Sequence, residues 1–416
     1  MDALNLDALK RLLESKLPAA LSILEQMVSI NSFTENRDGV QRLSELTRRT
    51  FAELGFTAET IPSVNPRYGD HLVCTRPGTS MRSVAMISHL DTVFPPEEEL
   101  ENNFRWQPEG DRIYGPGTQD IKGGTVMMWL VLQALRECAP QVFESTTWRL
   151  FWNSSEETLS QDFGEVCRSR FGTHTQAALV FEAEGRLGEE SLVVAARKGR
   201  ATWRITARGR GAHAGGKHRQ GANAILQLAA TLQRVAALTD HGSELTFNVG
   251  CVAGGTVANR VPHEAHAEGE FRAFSPEIYA RGMASLKALV GPGEVRSVAD
   301  GFPCTVEVEI LSESRPWPRN ERTDRLVCHW EAAGQEVGLP VSHHERGGLS
   351  DGNMLWDVVP TLDGLGPWGD NDHCSERSAD GQKVPEYVDV TSFVPKALVN
   401  TVAILRLLDG GQAASR

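Results

Sequence analysis

His89 and Asp91 stand two residues apart, directly after the apolar run Val84–Ile87. The run is typical of a buried strand, so the pair is expected at a strand end. An imidazole can ligate a metal ion while a nearby carboxylate holds the ring in its ligating tautomer. Because such a polar pair is also typical of an ordinary turn, its interpretation depends on the residues that follow.

Asp120 lies in the segment Tyr114–Gly124, whose glycines and proline predict a tight loop before a helix beginning near Gly123. In that place an aspartate either caps the helix or bridges two metal ions through its two carboxylate oxygens.

Glu156 and Glu157 follow another apolar strand, Thr147–Trp152. Consecutive strand residues face opposite ways, so the two glutamates share a site only if the chain has already turned. In that case one can bind a metal ion and the other can act as a general base. The alternative is a pair of solvated glutamates.

Two later segments also carry candidate ligands. Glu182 and Glu184 follow the predicted strand Ala177–Phe181, and His373 lies beside Cys374 in a turn-rich loop. In an open α/β sheet, such turns converge at the carboxyl edge. Oxygen and imidazole ligands favour Zn²⁺, with Mn²⁺ or Co²⁺ as alternatives. No cysteine is needed, which disfavours a thiolate structural zinc site.

The elements that would position these residues predict two domains in the 416 residues. Strands alternate with helices at both ends of the chain, which indicates a mixed sheet covered on both faces. Between them the order is β-α-β-β-α-β, a ferredoxin-like pattern. We expect an α/β domain of residues 1–196 and 312–416 and an inserted α+β domain of residues 197–311. Pro18 is expected to divide the first helical segment in two.

Composition narrows the class of protein. The net charge of -12 disfavours nucleic acid as a partner but tolerates a divalent cation. Seven cysteines without a CxxC pattern favour free thiols and a cytoplasmic location over a disulfide framework. The N-terminus does not resemble a signal peptide, and no uninterrupted apolar window reaches the ~20 residues that a membrane helix needs.

Together the motifs resemble those of the M20 family of metallopeptidases in order and spacing. They are His89-x-Asp91, Gly117-x-x-Asp120-x-Lys122-Gly123-Gly124, Glu156-Glu157, Phe181-Glu182 and His373. Within the family, the chain is most similar to bacterial glutamate carboxypeptidases of the carboxypeptidase G2 type, over essentially its whole length. The resemblance implies a zinc-hydrolase fold, two Zn²⁺ ions per subunit and a homodimer formed through the inserted domain.

The resemblance also implies roles for the candidate ligands. Asp120 would bridge the two zinc ions. His89 and Glu182 would complete one zinc site, and Glu157 and His373 the other. Glu156 would be the general base towards a water between the metals, and Asp91 would orient His89. Relatives often have proline after the ligand, where this chain has Ala183 and then Glu184, so Glu184 remains a rival ligand.

Substrate-binding residues are implied in the same way. His213, in a turn of small residues, would reach the active site of the other subunit and stabilise the oxyanion. Asn259 and Arg272 would bind the free carboxylate of the substrate, which a guanidinium can grip with two parallel hydrogen bonds. Gly348 and Ser350 lie in a loop resembling a further substrate-binding segment.

We therefore expect a dinuclear zinc amide hydrolase that releases a C-terminal amino acid, with glutamate as a candidate, from a peptide-like or N-acyl substrate. An N-acyl-amino-acid deacetylase or a dipeptidase has the same metal core. A non-catalytic binding protein on this fold is an alternative of another class. A glycosidase is disfavoured because adjacent glutamates poorly satisfy the ~5–9 Å carboxyl separation that its chemistry needs.

Overall fold

The structure, a computed structural model, describes residues 5–160 and 162–410. Within these residues it contains ten α-helices: α1 (Leu6–Val28), α2 (Arg37–Ala52), α3 (Pro96–Glu101), α4 (Lys122–Cys138), α5 (Pro140–Ser145), α6 (Phe163–Arg168), α7 (Ala224–Ala236), α8 (Pro276–Lys287), α9 (Glu321–Val337) and α10 (Phe393–Gly410). Its twenty β-strands are β1 (Thr57–Ile61), β2 (His71–Arg76), β3 (Ser83–His89), β4 (Gln107–Glu109), β5 (Arg112–Tyr114), β6 (Thr147–Asn153), β7 (Thr175–Val180), β8 (Gly185–Leu187), β9 (Glu190–Arg197), β10 (Gly199–Arg208), β11 (Ala212–His213), β12 (Thr246–Gly254), β13 (Arg260–Val261), β14 (Glu264–Ala273), β15 (Gly291–Arg296), β16 (Pro303–Ser314), β17 (Val341–Arg346), β18 (Thr361–Leu362), β19 (Gly369–Asp370) and β20 (Tyr387–Asp389).

The chain divides into two compact units. The second unit comprises Ala196–Pro318 together with the short return Arg346–Leu349, and the first unit comprises the rest. The inserted domain was predicted at residues 197–311, without the return segment. The expected fold class is confirmed, because one unit is built on a mixed α/β sheet and the other is a ferredoxin-like α+β unit.

The first unit is built on a six-stranded sheet with the order β1-β2-β6-β3-β7-β18. Strand β3 pairs in parallel with both β6 and β7, whereas β1 and β2 are antiparallel. Alternate residues of β3 face opposite sides of the sheet. Met86 packs in the larger apolar core on one side, and Ala85 and Ile87 pack in the smaller core on the other. Both faces are therefore buried, and the carboxyl ends of the parallel strands meet at one edge.

Helix α1 runs unbroken for 23 residues with Pro18 inside it. The prediction that Pro18 divides this segment was wrong. Proline removes one backbone hydrogen bond, but the apolar face formed by Leu9, Leu13 and Leu24 is fully buried on both sides of it. Packing of that face outweighs the missing N–H, since tertiary contacts supply most of the stability of helices in proteins.

Helix α10 is a core element. Residues Val390–Asp409 are long and apolar enough to cross a membrane, with a mean hydropathy of 1.3, but 78% of that stretch is buried inside the structure. The helix packs against α1, α4 and α9. Its apolar character is therefore explained by the core of the first unit.

The second unit is a five-stranded antiparallel sheet with the order β12-β14-β10-β16-β15. Trp203, Phe271 and Leu228 are buried in its core, where the sheet meets α7 and α8. Strand β15 was not predicted, because it opens with Gly-Pro-Gly, a sequence typical of turns. Strand β12 forms one edge of the sheet.

The first unit also contains a small sheet with the order β19-β20-β5-β4. Strand β5 leads directly into the loop that carries Asp120, and β19 leads into the loop that carries His373. Strand β20 lies between them and pairs with both. The sheet therefore places side by side two loops that are about 250 residues apart along the chain.

Candidate metal centre

Three strand ends deliver candidate ligands to one edge of the main sheet. His89 is the last residue of β3 and is aligned with Asn153, the last residue of β6. Ile87 is aligned with Val180 at the end of β7, two residues before Glu182. Because these strands are parallel, the chain leaves all three at the same edge.

The loop between β5 and α4 brings Asp120 to this edge. A Cβ atom on Gly124 would lie only 2.0 Å from the carbonyl oxygen of Phe181. Glycine is therefore required for the first turn of α4 to approach the end of β7 so closely. This approach explains the second glycine of the motif and places Asp120 beside Glu182.

The first ligand group consists of His89, Asp120 and Glu182, with candidate ligand atoms all within 4.8 Å of one another. Nε2 of His89 lies 3.0 Å from Oδ1 of Asp120 and 3.8 Å from Oε1 of Glu182. Nδ1 of His89 is 2.9 Å from the main-chain carbonyl oxygen of Asp91. This contact assigns the ring proton to Nδ1 and leaves the lone pair of Nε2 for a metal ion.

The second group consists of Asp120, Glu157 and His373. Nε2 of His373 lies 3.4 Å from Oδ2 of Asp120 and 3.3 Å from Oε2 of Glu157. His373 is half exposed and has a positive φ of 63°. The two oxygens of Asp120 thus face different groups, the arrangement expected of a carboxylate shared by two cations.

Asp91 holds the turn that carries Glu156 and Glu157. Its Oδ1 accepts the backbone N–H of Glu156 at 3.0 Å, and its Oδ2 accepts that of Glu157 at 3.2 Å. Thr34 donates its hydroxyl to the same Oδ2 at 2.7 Å. The chain has turned into a 3-10 helix at this point, so the two adjacent glutamates can serve one site. The carboxylate itself is 3.5 Å from Nδ1 of His89, so the main-chain oxygen makes the closer contact.

Glu184, the rival ligand, points into a different network. It is buried and accepts hydrogen bonds from the Ser191 hydroxyl at 2.7 Å and from Arg186 at 2.9 Å. Nζ of Lys396 lies 3.0 Å from Oε2 of Glu184, the oxygen that accepts the Ser191 hydroxyl. The geometry therefore brings Glu182 to the metal groups and uses Glu184 as a buried ion-pair partner.

The electrostatics of the centre favour a cation. Burial, together with the charge of Asp120, raises the pKa of Glu157 to about 7. Burial and the surrounding carboxylates raise the pKa of Glu156 well above its ordinary value. Hydrogen bonds to Asp120 and Glu157 raise the pKa of His373 to about 11. A divalent ion bound between these crowded carboxylates would reduce the repulsion between their negative charges.

The donor set fits zinc. Each group offers one imidazole nitrogen and carboxylate oxygens, which are ligands that Zn²⁺ accepts in catalytic sites. Cys374 belongs to neither group among the described residues, and its Sγ lies 3.8 Å from the carbonyl oxygen of Glu376.

Comparisons with known proteins identify relatives of the chain. Residues 195–293 match the M20 peptidase dimerisation domain. Carboxypeptidase G2 of Pseudomonas sp. (strain RS-16) is 25% identical over 400 residues, which cover 95% of this chain and 90% of that protein. The chain is a homologue of the M20 peptidases.

Two further comparisons widen the range of relatives. A succinyl-diaminopimelate desuccinylase of Nitrosospira multiformis is 26% identical to the M20 homologue, over 90% of this chain and 94% of that protein. The crystal structure of a tripeptidase from Staphylococcus aureus superposes with a TM-score of 0.74 at 22% identity, covering 94% of this chain and 98% of that one. At that identity the tripeptidase shows the fold alone.

In the second unit of the M20 homologue, the structure brings His213 and Asn259 onto neighbouring segments. Strand β11, which contains His213, pairs with β13, and the N–H of Ala214 donates to the carbonyl oxygen of Asn259 at 2.9 Å. Nδ1 of His213 accepts the N–H groups of Gly215 and Gly216. These bonds place the ring proton on Nε2, so the exposed His213 side chain presents an N–H donor.

Arg272, on β14, is engaged within its own unit. Its Nε and Nη2 donate to Glu270 at 2.8 and 3.2 Å, and its Nη1 donates to the carbonyl oxygen of Gly347 at 2.8 Å. Gly348, next along the chain, is exposed, and its carbonyl oxygen accepts Nη1 of Arg197 at 3.2 Å. The guanidinium of Arg272 is therefore bonded to Glu270 and Gly347 in this structure.

Ser350, which belongs to the first unit, caps a 3-10 turn. Its buried hydroxyl donates to Asp363 at 2.7 Å and accepts the N–H of Gly352. Its own N–H donates to the side chain of Asn353 at 3.2 Å. Both polar groups of Ser350 therefore stabilise the turn in this conformation.

Sequence reasoning missed Thr34 and Glu386, which hold site residues in place. Thr34 lies 57 residues before Asp91, its hydrogen-bond partner. Glu386 contacts Asp120 across 266 residues. Neither position carries a local motif, because a lone polar residue beside a turn is typical of any surface loop.

Proposed function

We propose that this M20 homologue is a dinuclear, metal-dependent amide hydrolase that releases a C-terminal amino acid from a peptide-like or N-acyl substrate. One observation carries the proposal: one oxygen of Asp120 faces His89 and the other faces His373, so that Asp120 belongs to both ligand groups. Glu156 lies on the adjoining turn. His89 and Glu182 would hold one cation together with Asp120. Glu157 and His373 would hold the other, and Zn²⁺ is the proposed metal.

When bound, a pair of such cations supplies Lewis acidity that polarises the scissile carbonyl group and lowers the pKa of water. Glu156 is proposed as the general base that takes the proton of the attacking water and returns it to the leaving amine. Asp91 keeps Glu156 in position through the backbone.

The relatives support an acidic substrate without fixing its side chain. Carboxypeptidase G2 is a carboxypeptidase by name, and the desuccinylases act on a succinylated amino acid by name. We propose a substrate with a free carboxylate beside the scissile amide, glutamate being the first candidate for the released amino acid. Asn259 and Arg272 are proposed to bind that carboxylate, with Gly348 and Ser350 in the adjoining loop. The desuccinylases favour a second candidate activity, removal of an N-acyl group from an amino acid.

We further propose a homodimer formed through the second unit. Strand β12 is the edge of its sheet, with unpaired backbone groups available on one side. Leu226 on α7 is 59% exposed and Val252 on β12 is 61% exposed, so apolar side chains flank that edge. The match of residues 195–293 to a dimerisation domain supports the same surface. His213 is proposed to serve the active site of the partner subunit.

A cytoplasmic location is proposed from the cysteines. All seven are free, and Cys251 and Cys328 are exposed. Exposed thiols are typical of proteins kept in a reducing compartment.

The proposal is tested by metal analysis coupled to a hydrolysis panel. The purified protein is assayed for bound metal and then given folyl-glutamate, N-acetyl and N-succinyl amino acids, and dipeptides, with and without chelator. We expect about two zinc ions per chain and hydrolysis that chelation abolishes and zinc restores. Hydrolysis of N-acyl amino acids alone would favour the deacylase. Turnover insensitive to chelator would contradict the metal mechanism, and tight binding without turnover would indicate a binding protein.

A further inference from the structure

Glu386 contacts the loop of the shared ligand directly. The residue is fully buried, and its Oε1 accepts the backbone N–H of Gln119 at 2.9 Å and that of Asp120 at 3.1 Å. A single carboxylate oxygen thus fixes the peptide groups on both sides of the Cα atom of Gln119. Movement of this oxygen would move the main chain of Asp120.

The main chain of Glu386 holds the loop that carries His373. Its N–H donates to the carbonyl oxygen of Cys374, next to His373, at 2.8 Å. Its carbonyl oxygen accepts the N–H of Gly115 at 3.3 Å, at the start of the Asp120 loop. Glu386 directly precedes β20, the strand that lies between β5 and β19. One residue therefore joins the two loops from which Asp120 and His373 project.

The unpaired oxygen of Glu386 indicates that stability alone does not explain the residue. Within the described residues its Oε2 has no hydrogen-bond partner, although the atom is buried. The neighbouring cation, Lys122, directs its ammonium group to the carbonyl oxygens of Ile30 and Pro116. A buried carboxylate with an unsatisfied oxygen costs stability. Such a cost is typical of sites where geometry matters for function.

We propose that Glu386 is a positioning residue that sets the separation between Asp120 and His373, and thereby the affinity of the Asp120–Glu157–His373 group for its cation. This inference rests on the proposed dinuclear function. The His89–Asp120–Glu182 group depends less on Glu386, because His89 and Glu182 come from the ends of strands β3 and β7. Loss of Glu386 should therefore weaken one of the two metal-binding steps more than the other.

The test is a Zn²⁺ titration of the metal-free full-length protein by calorimetry, comparing wild type with Glu386→Ala, Glu386→Gln and Glu386→Asp. In Glu386→Ala we expect one of the two binding steps to weaken about 10- to 100-fold, as is usual when a group that orients ligands is lost. Glu386→Gln should stay within a few-fold of wild type, because its amide oxygen can accept both N–H groups. Glu386→Asp should be intermediate, since a side chain one methylene shorter draws the acceptor away.

The matched control is Ser375→Ala. The Ser375 hydroxyl ties the same loop to Glu98 in α3 and to Asn102, which follows it, and among the described residues these hydrogen bonds do not involve the Asp120 loop. This variant should keep both binding steps.

Unchanged binding in Glu386→Ala, or equal weakening of both steps in Glu386→Ala and Glu386→Asp, would overturn the inference. A wild-type protein that binds no zinc would instead overturn the proposed function, so the two failures are distinguishable. If Glu386→Ala does not fold, Glu386→Asp and Glu386→Gln decide the question.

Discussion

Asp91 Oδ1 accepts the backbone N–H of Glu156 at 3.0 Å, and this bond connects the first motif of the chain to its proposed base. The same carboxylate also accepts the N–H of Glu157 and the hydroxyl of Thr34. Asp91 therefore fixes one candidate ligand and the base together, in addition to the contact of its main chain with His89.

Asp91→Ala is expected to lower kcat about 10- to 100-fold, the usual cost of removing a group that orients ligands. The free energy of unfolding should fall by about 1–3 kcal/mol for each buried donor left unsatisfied. Steady-state kinetics and denaturant unfolding measure the two effects. Thr34→Val, which leaves both backbone bonds intact, is the control and should retain most of kcat. Full activity in Asp91→Ala would show that the turn holds itself in place.

Glu156→Gln is expected to keep the metal and lose turnover. The substitution preserves shape but removes the base, so kcat should fall by about 10²–10⁴-fold, the usual contribution of general acid–base catalysis. Metal content, measured by mass spectrometry, should remain that of wild type. The matched variant is Glu157→Gln, one residue away, which should lose metal. Near-normal kcat in Glu156→Gln would remove that residue from the mechanism.

The fold class was predictable because its signals are local. The strands around Met86, Leu150 and Leu179 are apolar runs that end in polar turns, and parallel pairing then brings their carboxyl ends to one edge. Pro18 shows the limit of such reasoning. A proline within a helix is an unfavourable local choice, and only the buried face of α1 shows that packing overrides it.

The candidate ligands were proposed from polar turns at strand ends and from the family resemblance. The residues that hold those ligands in place were not predicted. Sequence alone left Glu182 and Glu184 as rivals, and the choice depends on Lys396, which lies more than two hundred positions later in the chain and pairs with Glu184. Similarly, the sequence suggested that Asp91 orients His89, whereas its carboxylate contacts the Glu156 turn. Hydrogen bonds between distant segments leave no spacing that can be seen in one sequence.

His71 should make stability depend on pH. The side chain is fully buried, its Nδ1 accepts the N–H of Ser154, and its Nε2 lies 3.2 Å from Oδ1 of Asp162. Burial lowers the pKa of His71 below its ordinary value of 6.5, outweighing the opposing charge of Asp162. Between the lowered pKa and 6.5 the unfolded chain binds more protons than the folded one, so the free energy of unfolding falls as the pH drops through this window.

Denaturant unfolding between pH 5 and pH 7 measures this dependence, whose slope reaches at most about 1.4 kcal/mol per pH unit for one proton. His71→Asn can keep an acceptor for Ser154 but cannot titrate, so its curve should be flatter than that of wild type. The exposed His174 provides the control, since His174→Asn should follow the wild-type curve. A wild-type curve as flat as that of His71→Asn would contradict the prediction.

Mixed dimers test whether His213 acts on the partner subunit. The exposed His213 presents Nε2–H as a donor, because Nδ1 is occupied by the N–H groups of Gly215 and Gly216. Removal of one oxyanion donor is expected to lower kcat about 10²–10³-fold, so His213→Ala and Glu156→Ala should each be nearly inactive. When the two variants share one dimer, the subunit with intact Glu156 receives intact His213 from its partner. Such dimers should regain about half of the wild-type kcat, because one site in two is then complete.

The measurement requires differently tagged subunits, co-expressed and purified as heterodimers. If His213 acts within its own chain, neither site is complete and no activity returns. Leu226→Glu supplies the control: an acid at this exposed apolar position should weaken the dimer, and chromatography with light scattering should show activity falling in step with the dimer fraction.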